Sequence, residues 1–590
     1  MKDFLKYILA TVVGILLYSL VCSLIFFGIV GAIAASGNKE AEIDANSVLY
    51  LKLDKPIVDR ATDNPFENFN FQTFLPDPKL GLNKITENLK KAKDDENIKG
   101  IYMELSYIPA GFATIEEIRN ALIDFKESGK FIYTYSEILT QSSYYLASVS
   151  TKIYMNPVGT MELKGMRAKV AFFKGTLAKI GIEPIIFRHG KFKSAIEPFM
   201  LDKMSEANKE QTMTYVRSIW DHLAKNIADQ RGISVEKVNS IANTFAIRNM
   251  KDAVENQIID AVKYKDEVID ELVELTGAKS PEKLEIVKFA KYTKVKLDKK
   301  SKKKDKREKI AVVYASGEIG MGKGDNGSIG SEGLSKAIRK ARRDTTIKAI
   351  VLRVNSPGGS GLASDIIWRE VVLAQKAKPL IVSMGDLAAS GGYYIACPAD
   401  VIVANPTTLT GSIGVFGLLF NSQEFMNKKL GVTFDGIKTH DFADLPDLTR
   451  KMTEAEKEII QTGVEEFYEL FIGKVGEGRK MTTEAVDEIG QGRVWSGLNA
   501  KEIGLVDEFG GLDRAIEIAA EKAGLVEYKT VEYPKMPNVM EELIKELSGD
   551  ASVKILQKYL GQNYFLYEKM NTLQNMQGIQ ARMSYDVELY

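Results

Sequence analysis

Ser390 stands where a nucleophile could be held. The apolar run PLIVSMGD predicts a strand that leads into AASGGYYIA, so Ser390 falls at a strand-to-helix turn with Gly391 directly behind it. Such a turn exposes a hydroxyl, and the first helical N–H groups lack intrahelical partners and carry partial positive charge. Because serine is also a common helix cap, its position alone leaves both roles open.

A second turn has the composition of an oxyanion-binding loop. The sequence NSPGGSG, at 355–361, follows the apolar strand AIVLRV and provides backbone N–H groups at the carboxyl end of that strand. It lacks the lysine and threonine spacing of a nucleotide-binding P-loop. We expect Gly359 and Gly391 to donate to a developing oxyanion, with Gly358 shaping the turn.

A nucleophilic serine needs a base, and the histidines are weak candidates. They are His189, His222 and His440. His222 falls in a helical run and the other two in turn-like segments, so His440 remains the one histidine alternative. Lys193, in FRHGKFKSAIEPF, becomes a candidate base only if burial lowers its pKa, because an ammonium cannot accept a proton.

Two neighbours of this candidate base carry expectations of their own. Ser412, in TGSIGV, is expected either to hydrogen-bond the Lys193 amine or to be a structural serine in a tight turn. Glu197 lies four residues from Lys193, and an adjacent carboxylate would raise the pKa of the lysine. Glu197 is therefore expected to point elsewhere.

An internal repeat connects the two candidates. The segment ITENLKKAKDDENIKGIYMEL matches LSKAIRKARRDTTIKAIVLRV at an offset near 249 residues, and each predicts a helix leading into an apolar strand. Alternating strands and helices in both halves predict two α/β domains with largely parallel sheets. Ser390 aligns with Gln141, and Lys193 aligns approximately with Ala443. Each half therefore lacks what the other has, which predicts one site assembled from two domains.

The repeat and the charge pattern also divide the chain. We expect a first repeat at 45–295 that supplies Lys193 and a second repeat at 310–530 that supplies Ser390. Residues 296–309 are dense in like charge and predict a solvated basic linker. The C-terminal extension, 531–590, has no clean period, so its structure is left open.

The N-terminal residues 1–36 predict a cytoplasmic stub and a membrane anchor. Residues 7–35 carry no charge and are long enough to cross a bilayer as a helix. Basic residues precede this segment and mostly acidic residues follow it, so the positive-inside rule exports the rest of the chain. A cleaved signal peptide is the alternative, although its apolar region is typically shorter.

The balance of charges and the cysteine count bear on nucleic-acid binding and on disulfide formation. The chain has 79 basic and 79 acidic residues, so no net field favours nucleic acid. Its two cysteines are Cys22, inside the apolar segment, and Cys397, so a disulfide is not expected.

The motifs together resemble one family, the long tandem-repeat form of signal peptide peptidase A. They are the N-terminal anchor, NSPGGSG, GDLAASGGYY, TGSIGV and GKFKSAIEPF. The resemblance implies a bacterial inner-membrane serine protease with two Clp/crotonase-like α/β superhelical domains behind one transmembrane helix. It implies Ser390 as nucleophile, Lys193 as general base, remnant signal peptides as substrates and no cofactor or metal.

The same resemblance implies a single-pass topology with periplasmic or other extracytoplasmic catalytic domains, and a homotetramer. Two other classes of function remain as alternatives. A crotonase-like acyl-CoA enzyme could use similar glycine-rich turns, although CoA thioesters are cytoplasmic. A non-catalytic membrane scaffold would fit the first repeat alone, but the complementary serine and lysine argue against it.

Overall fold

The computed structural model describes most of the chain. The described residues are 2–37, 40–61, 69–70, 75–76, 79–297, 307–324, 327–536, 579–583 and 588–589. Most of the predicted basic linker at 296–309, and most of the predicted extension at 531–590, lie outside the described residues.

The N-terminal apolar segment forms one helix, α1 (Lys2–Gly37). Among the residues that the structure describes, no helix combines the length and the apolar character that crossing a membrane requires. The membrane anchor at 7–35 therefore stays a prediction.

The first repeat alternates strands and helices. Its strands are β1 (Ser47–Leu51), β2 (Ile57–Val58), β3 (Phe69–Asn70), β4 (Leu75–Pro76), β5 (Leu80–Gly81), β6 (Ile98–Glu104), β7 (Phe131–Leu139), β8 (Lys152–Met161), β9 (Ala168–Lys169), β10 (Glu183–Arg188), β11 (Ala261–Val262) and β12 (Ile286–Lys288). Its helices are α2 (Leu82–Asp94), α3 (Phe112–Lys126), α4 (Gln141–Ala147), α5 (Lys174–Ile180), α6 (Glu197–Met200), α7 (Glu206–Arg231), α8 (Val235–Thr244), α9 (Met250–Glu255), α10 (Lys265–Thr276) and α11 (Phe289–Tyr292). Short 3₁₀ turns cover Ser194–Ile196 and Pro281–Lys283.

The second repeat follows the same plan, and two more strands come from the C-terminal extension. The strands are β13 (Glu308–Ser316), β14 (Glu318–Gly320), β15 (Ser328–Gly330), β16 (Ile347–Ser356), β17 (Gly358–Ser360), β18 (Leu380–Ala389), β19 (Val401–Ala404), β20 (Leu409–Gly411), β21 (Phe416–Asn421), β22 (Val494–Ser496), β23 (Glu508–Phe509), β24 (Tyr528–Tyr533), β25 (Ile579–Arg582) and β26 (Glu588–Leu589). The helices are α12 (Ser331–Arg343), α13 (Gly361–Gln375), α14 (Gly391–Ala396), α15 (Glu454–Arg479), α16 (Thr483–Ile489), α17 (Gly497–Glu502) and α18 (Leu512–Lys522), with a π-helical turn at Phe425–Leu430.

The repeat is visible element by element. Helices α2 and α12 begin 249 residues apart, and so do α3 and α13. The strand pairs β6 and β16, β7 and β18, and β8 and β19 keep the same spacing. The α/β class with two repeated domains is thus as the sequence predicts.

Each repeat builds its own sheet. The first has the order β11-β8-β7-β6-β1-β12, and every pairing in it is parallel. The second has the order β22-β20-β18-β16-β13-β24, in which β20 and β22 are antiparallel. Strand β19 also pairs with β18, and β23 pairs with β19. Helices cover these sheets because their apolar residues share one face, as Ile85, Leu89 and Ala92 of α2 do in the first core.

A third sheet joins the two repeats. Its order is β10-β21-β25-β17-β14-β15, so one strand comes from the first repeat and one from the C-terminal extension. Strands β10 and β21 pair antiparallel from Glu183 with Asn421 to Arg188 with Phe416. This pairing brings the segment that follows β10, and with it Lys193, to the second repeat.

Candidate active site

The two candidate residues meet at the boundary between the repeats. Lys193 Nζ lies 2.8 Å from Ser390 Oγ, although the residues are 197 positions apart in the chain. Both side chains are buried: Ser390 is 0 % exposed and Lys193 is 1 % exposed. The contact thus lies within reach of proton transfer in a site shielded from bulk water.

Ser390 occupies a strained turn between β18 and α14. Its φ is 56° and its ψ is −116°, a region that residues with a side chain rarely adopt. The turn is fixed because Ser390 N–H donates to the Gly411 carbonyl at 2.8 Å and the Ser390 carbonyl accepts from Tyr394 N–H at 2.8 Å. Strain of this kind is found at sites where the fold must aim one side chain.

The Lys193 amine has three oxygen neighbours. Besides Ser390 Oγ, they are the carbonyl oxygen and Oγ of Ser412, both 3.1 Å from Nζ. A neutral amine has two N–H groups, which can donate to Ser412, and one lone pair that can accept the Ser390 hydroxyl proton. Burial lowers the pKa of Lys193 well below its ordinary value. Of the two roles open to Ser412, the structure fits the contact with the amine.

The segment around Lys193 is held by both repeats. Phe192 N–H donates to the Gln491 carbonyl at 2.9 Å, which ties this segment to the second repeat. Gln211, on α7, donates to the Phe192 carbonyl at 2.9 Å and accepts from Val494 N–H at 3.1 Å. Gln211 thus links the lysine-bearing loop to β22.

Glycine permits close approach on the other side of the lysine. Gly492 has a φ of 83°, and a Cβ there would lie 2.7 Å from the Lys193 Cα and Cβ atoms. A Cβ on Gly414 would lie 3.3 Å from the Lys193 Cδ atom. A larger residue at either position would press on the side chain that contacts Ser390.

The two glycine-rich turns predicted from the sequence also meet. Gly358 and Gly359 form β17 with φ values of 96° and 155°, and a Cβ on Gly358 would lie 2.7 Å from Gly391 N. The Gly358 N–H donates to Ser356 Oγ at 3.1 Å. The structure therefore places Gly391 N–H and β17 side by side, next to Ser390. The assignment of Gly359 and Gly391 as oxyanion donors stays a prediction.

The three histidines contact residues other than Ser390. His189 stacks on Tyr468, His222 lies 2.5 Å from a carboxylate oxygen of Glu116, and the exposed His440 contacts Thr439. Among the described residues, the hydrogen-bond partners of Ser390 Oγ are Lys193 and the Gly414 carbonyl.

Glu197 is turned away from the lysine, as expected. It is buried, and its carboxylate accepts from Ser205 and Asn208.

In the first repeat, the position equivalent to Ser390 is filled by Gln141, whose Oε1 accepts from Lys164 and Gly165 N–H. Ala443 lies exposed in a loop. Within the described ranges, no group of three or more His, Cys, Asp or Glu side chains is arranged to hold a metal ion.

Sequence reasoning missed a buried ion cluster between the repeats. Arg353, on β16, bonds Asp59 at 2.8 Å and Glu117 at 2.7 Å, and both carboxylates belong to the first repeat. Thr114 of the first repeat also donates through N–H and Oγ1 to Asp386, four residues before Ser390. An arginine and an aspartate in otherwise apolar strands were the available signal, but their partners lie far away in the chain.

Comparison with known proteins gives the family. The model of Peptidase family S49 matches residues 124–279 and 373–526, one match in each repeat. Protease 4 of Salmonella typhi is 35% identical over 479 residues, 79% of this chain and 76% of that protein. Protease 4 of Haemophilus influenzae is 32% identical over 582 residues, 92% and 94% of the two chains.

A third relative extends the comparison beyond bacteria. The chloroplastic serine protease SPPA of Arabidopsis thaliana is 35% identical over 511 residues, 85% of this chain and 74% of that one. These relatives favour a protease over the acyl-CoA enzyme and the scaffold. The chain belongs to Peptidase family S49 as a tandem-repeat relative of signal peptide peptidase A, and it is a serine protease.

Proposed function

We propose that Ser390 is the nucleophile of this protease and that Lys193 is its general base. The observation that carries the proposal is the 2.8 Å contact between Nζ and Oγ in a fully buried site. Further support comes from the lowered pKa of Lys193, which arises from burial. A lowered pKa increases the neutral fraction of the amine, which is the form that can accept a proton, whereas an ordinary lysine is almost wholly charged at neutral pH.

The reaction follows as two acyl transfers. Lys193 Nζ takes the Ser390 hydroxyl proton while Oγ attacks the scissile carbonyl, and the oxyanion accepts from Gly359 and Gly391 N–H. The Lys193 ammonium then gives its proton to the departing amine, so the peptide C–N bond breaks and an ester to Ser390 remains. Water, deprotonated by the same amine, attacks the ester and releases the acid and the serine hydroxyl.

The dyad is tested by labelling and by hydrolysis of a fluorogenic peptide. The full chain should react with a fluorophosphonate at Ser390, and Ser390→Ala should lose both labelling and hydrolysis. Ser142→Ala is the matched control, because Ser142 directly follows the position equivalent to Ser390 in the first repeat. Normal labelling of Ser390→Ala would refute the proposed nucleophile.

We also propose that residues 7–35 anchor the protease in the bacterial inner membrane, with the catalytic repeats outside the cytoplasm. The support is the uncharged N-terminal segment with lysines before it and mostly acidic residues after it. Substrates near a membrane follow from that position. We infer that they are cleaved signal peptides and other short membrane-proximal peptides, taken by a homotetramer as the family resemblance implies.

Topology and assembly are tested on the full chain in bacterial membranes. Alkaline carbonate should leave the chain in the pellet, and external protease should reach the repeats in spheroplasts. Release by carbonate would refute the anchor. Light scattering of the detergent-solubilised chain should give four copies, and a monomer with full peptidase activity would refute the tetramer.

A further inference from the structure

A strand from the C-terminal extension lies inside the candidate active site. Strand β25 is placed between β17 and β21 in the sheet that joins the two repeats. It runs antiparallel to β17, with Ala581 opposite Gly359 and Arg582 opposite Gly358. On its other side, Gln580 lies opposite Phe416. The strand therefore pairs with the turn that is proposed to bind the oxyanion.

The register brings one carbonyl of this strand to the proposed oxyanion site. Met583 N–H donates to the Pro357 carbonyl at 2.8 Å. Since hydrogen-bonded pairs alternate along an antiparallel ladder, Gly359 and Ala581 form the next such pair. A Cβ on Gly391 would lie 3.0 Å from the Ala581 carbonyl oxygen, and one on Gly358 would collide with it. The Ala581 carbonyl thus lies between the two glycine-rich turns.

Side chains of the strand fill the space beside the dyad. Ala581 is 0 % exposed, and Met583 is 4 % exposed. Met583 lines a cavity of about 120 Å³ together with Ser194, Tyr215 and Leu409. Ser194 is the neighbour of Lys193 in the chain. The strand therefore occupies room that a peptide beside Ser390 would need.

An ion pair made by a buried arginine helps to hold the strand, since Arg582 is 3 % exposed. Arg582 Nη1 lies 2.5 Å from Glu318 Oε1, on β14 of the same sheet. Burial raises the pKa of Glu318, although the Arg582 charge opposes that shift. Main-chain pairing with β17 and β21 also holds the strand, and another extended peptide can form the same kind of pairing.

We propose that residues 579–583 are a built-in competitor of the peptide substrate, displaced when a substrate binds between β17 and β21. The proposal rests on the proposed function of Ser390 and Lys193. Neighbouring strands lie about 4.8 Å apart, so the space between β17 and β21 admits one strand. Tail and substrate therefore exclude each other. The tail lowers the apparent affinity for substrate without changing the chemistry at Ser390.

The test weakens the tail in the full chain and measures peptide hydrolysis. Arg582→Glu places a like charge beside Glu318 and should expel the strand. We expect KM for a short fluorogenic peptide to fall about tenfold with kcat unchanged, and the rate of fluorophosphonate labelling to rise similarly. Ala581→Phe should act in the same direction, because Ala581 is 0 % exposed and packs in the apolar core of the second repeat, where a ring would not fit. Ala581→Phe therefore provides a second test of the proposal if Arg582→Glu fails to fold.

Two controls separate a competitor from a structural strand. Lys90→Glu reverses an exposed charge of the first repeat that pairs with Asp513 of the second repeat, and it should leave KM unchanged. The synthetic peptide GIQARMSYD, residues 578–586, should inhibit Arg582→Glu competitively, and the same peptide with proline in place of Ala581 should not.

The outcomes are distinct. Unchanged KM and labelling in folded Arg582→Glu and Ala581→Phe would overturn the competitor and leave the dyad in place. Reduced activity in both variants would also overturn it, because a competitor cannot be required for activity. Absence of Ser390 labelling in every variant would refute the proposed nucleophile and the competitor with it.

Discussion

Replacing Lys193 by methionine should abolish most of the activity and, at neutral pH, stabilise the fold. Methionine has a similar length and no titratable group, and Lys193 is 1 % exposed, so the side chain can stay in place. Loss of a general base typically reduces the rate by about 10²- to 10⁴-fold. Activity and stability are therefore expected to change in opposite directions.

The stability change follows from two opposing terms. The proposed base must be neutral at pH 7, and keeping an amine of ordinary pKa, about 10.4, in that form costs roughly 5 kcal/mol at about 1.36 kcal/mol per pH unit. Methionine removes this cost. It also removes the contacts of Nζ with Ser390 Oγ and with both Ser412 oxygens. At about 1 kcal/mol each, those contacts contribute about 3 kcal/mol, so the net gain is roughly 2 kcal/mol at pH 7.

The free energy of unfolding should depend on pH in a direction set by the lowered pKa of Lys193. Because burial lowers the pKa of Lys193, the folded chain holds fewer protons than the unfolded chain from that lowered pKa up to the ordinary lysine value. Native stability therefore rises with pH across this window. The advantage of methionine falls by about 1.36 kcal/mol per pH unit within this window and reverses between about pH 8 and 9.

The assay is denaturant unfolding of both chains from pH 6 to 10, with peptide hydrolysis measured alongside. Lys191→Met is the matched control, because Lys191 is exposed two residues away and should change neither quantity. A stability difference between Lys193→Met and the native chain that does not vary with pH would refute the buried neutral amine. Hydrolysis near the native rate in Lys193→Met would remove the lysine from the mechanism.

Three further changes test the surroundings of the dyad. Ser412→Ala removes one partner of the amine and should lower kcat about tenfold with KM unchanged in steady-state kinetics. A tenfold rise in KM with kcat unchanged would contradict this role. Gln211→Leu should lower unfolding stability by about 1–3 kcal/mol and reduce kcat, because buried backbone groups lose their partner; unchanged kcat would show that Gln211 does not position the lysine. Arg353→Met leaves two buried carboxylates without a counter-charge and should cost about 3–5 kcal/mol in denaturant unfolding, whereas Lys457→Met at an exposed pair should leave the unfolding midpoint nearly unchanged.

The sequence predicted what is repeated or locally patterned. The constant spacing of 249 residues gave the order of helices and strands in both halves, because each element carries its own apolar period. The same alignment led from Ser390 to Lys193, since each half lacked one of the two groups. No local pattern marks Lys193 itself.

Contacts between distant short segments could not be predicted in this way. Strands β17 and β25 have three and four residues, too few to carry a period, and they pair across more than two hundred positions. The Gln491–Gly492 turn and the partners of Arg353 are likewise fixed by the packing of one repeat on the other. The position of Ile579–Met583 was left open for the same reason.

The pairing of β10 with β21 has a consequence for the order of events during synthesis of the chain. In the proposed mechanism the amine comes from the first half and the hydroxyl from the second, so a chain that ends after the first half would lack the nucleophile. A nascent chain would gain the complete pair only after Ser390 has been made and the two halves have docked.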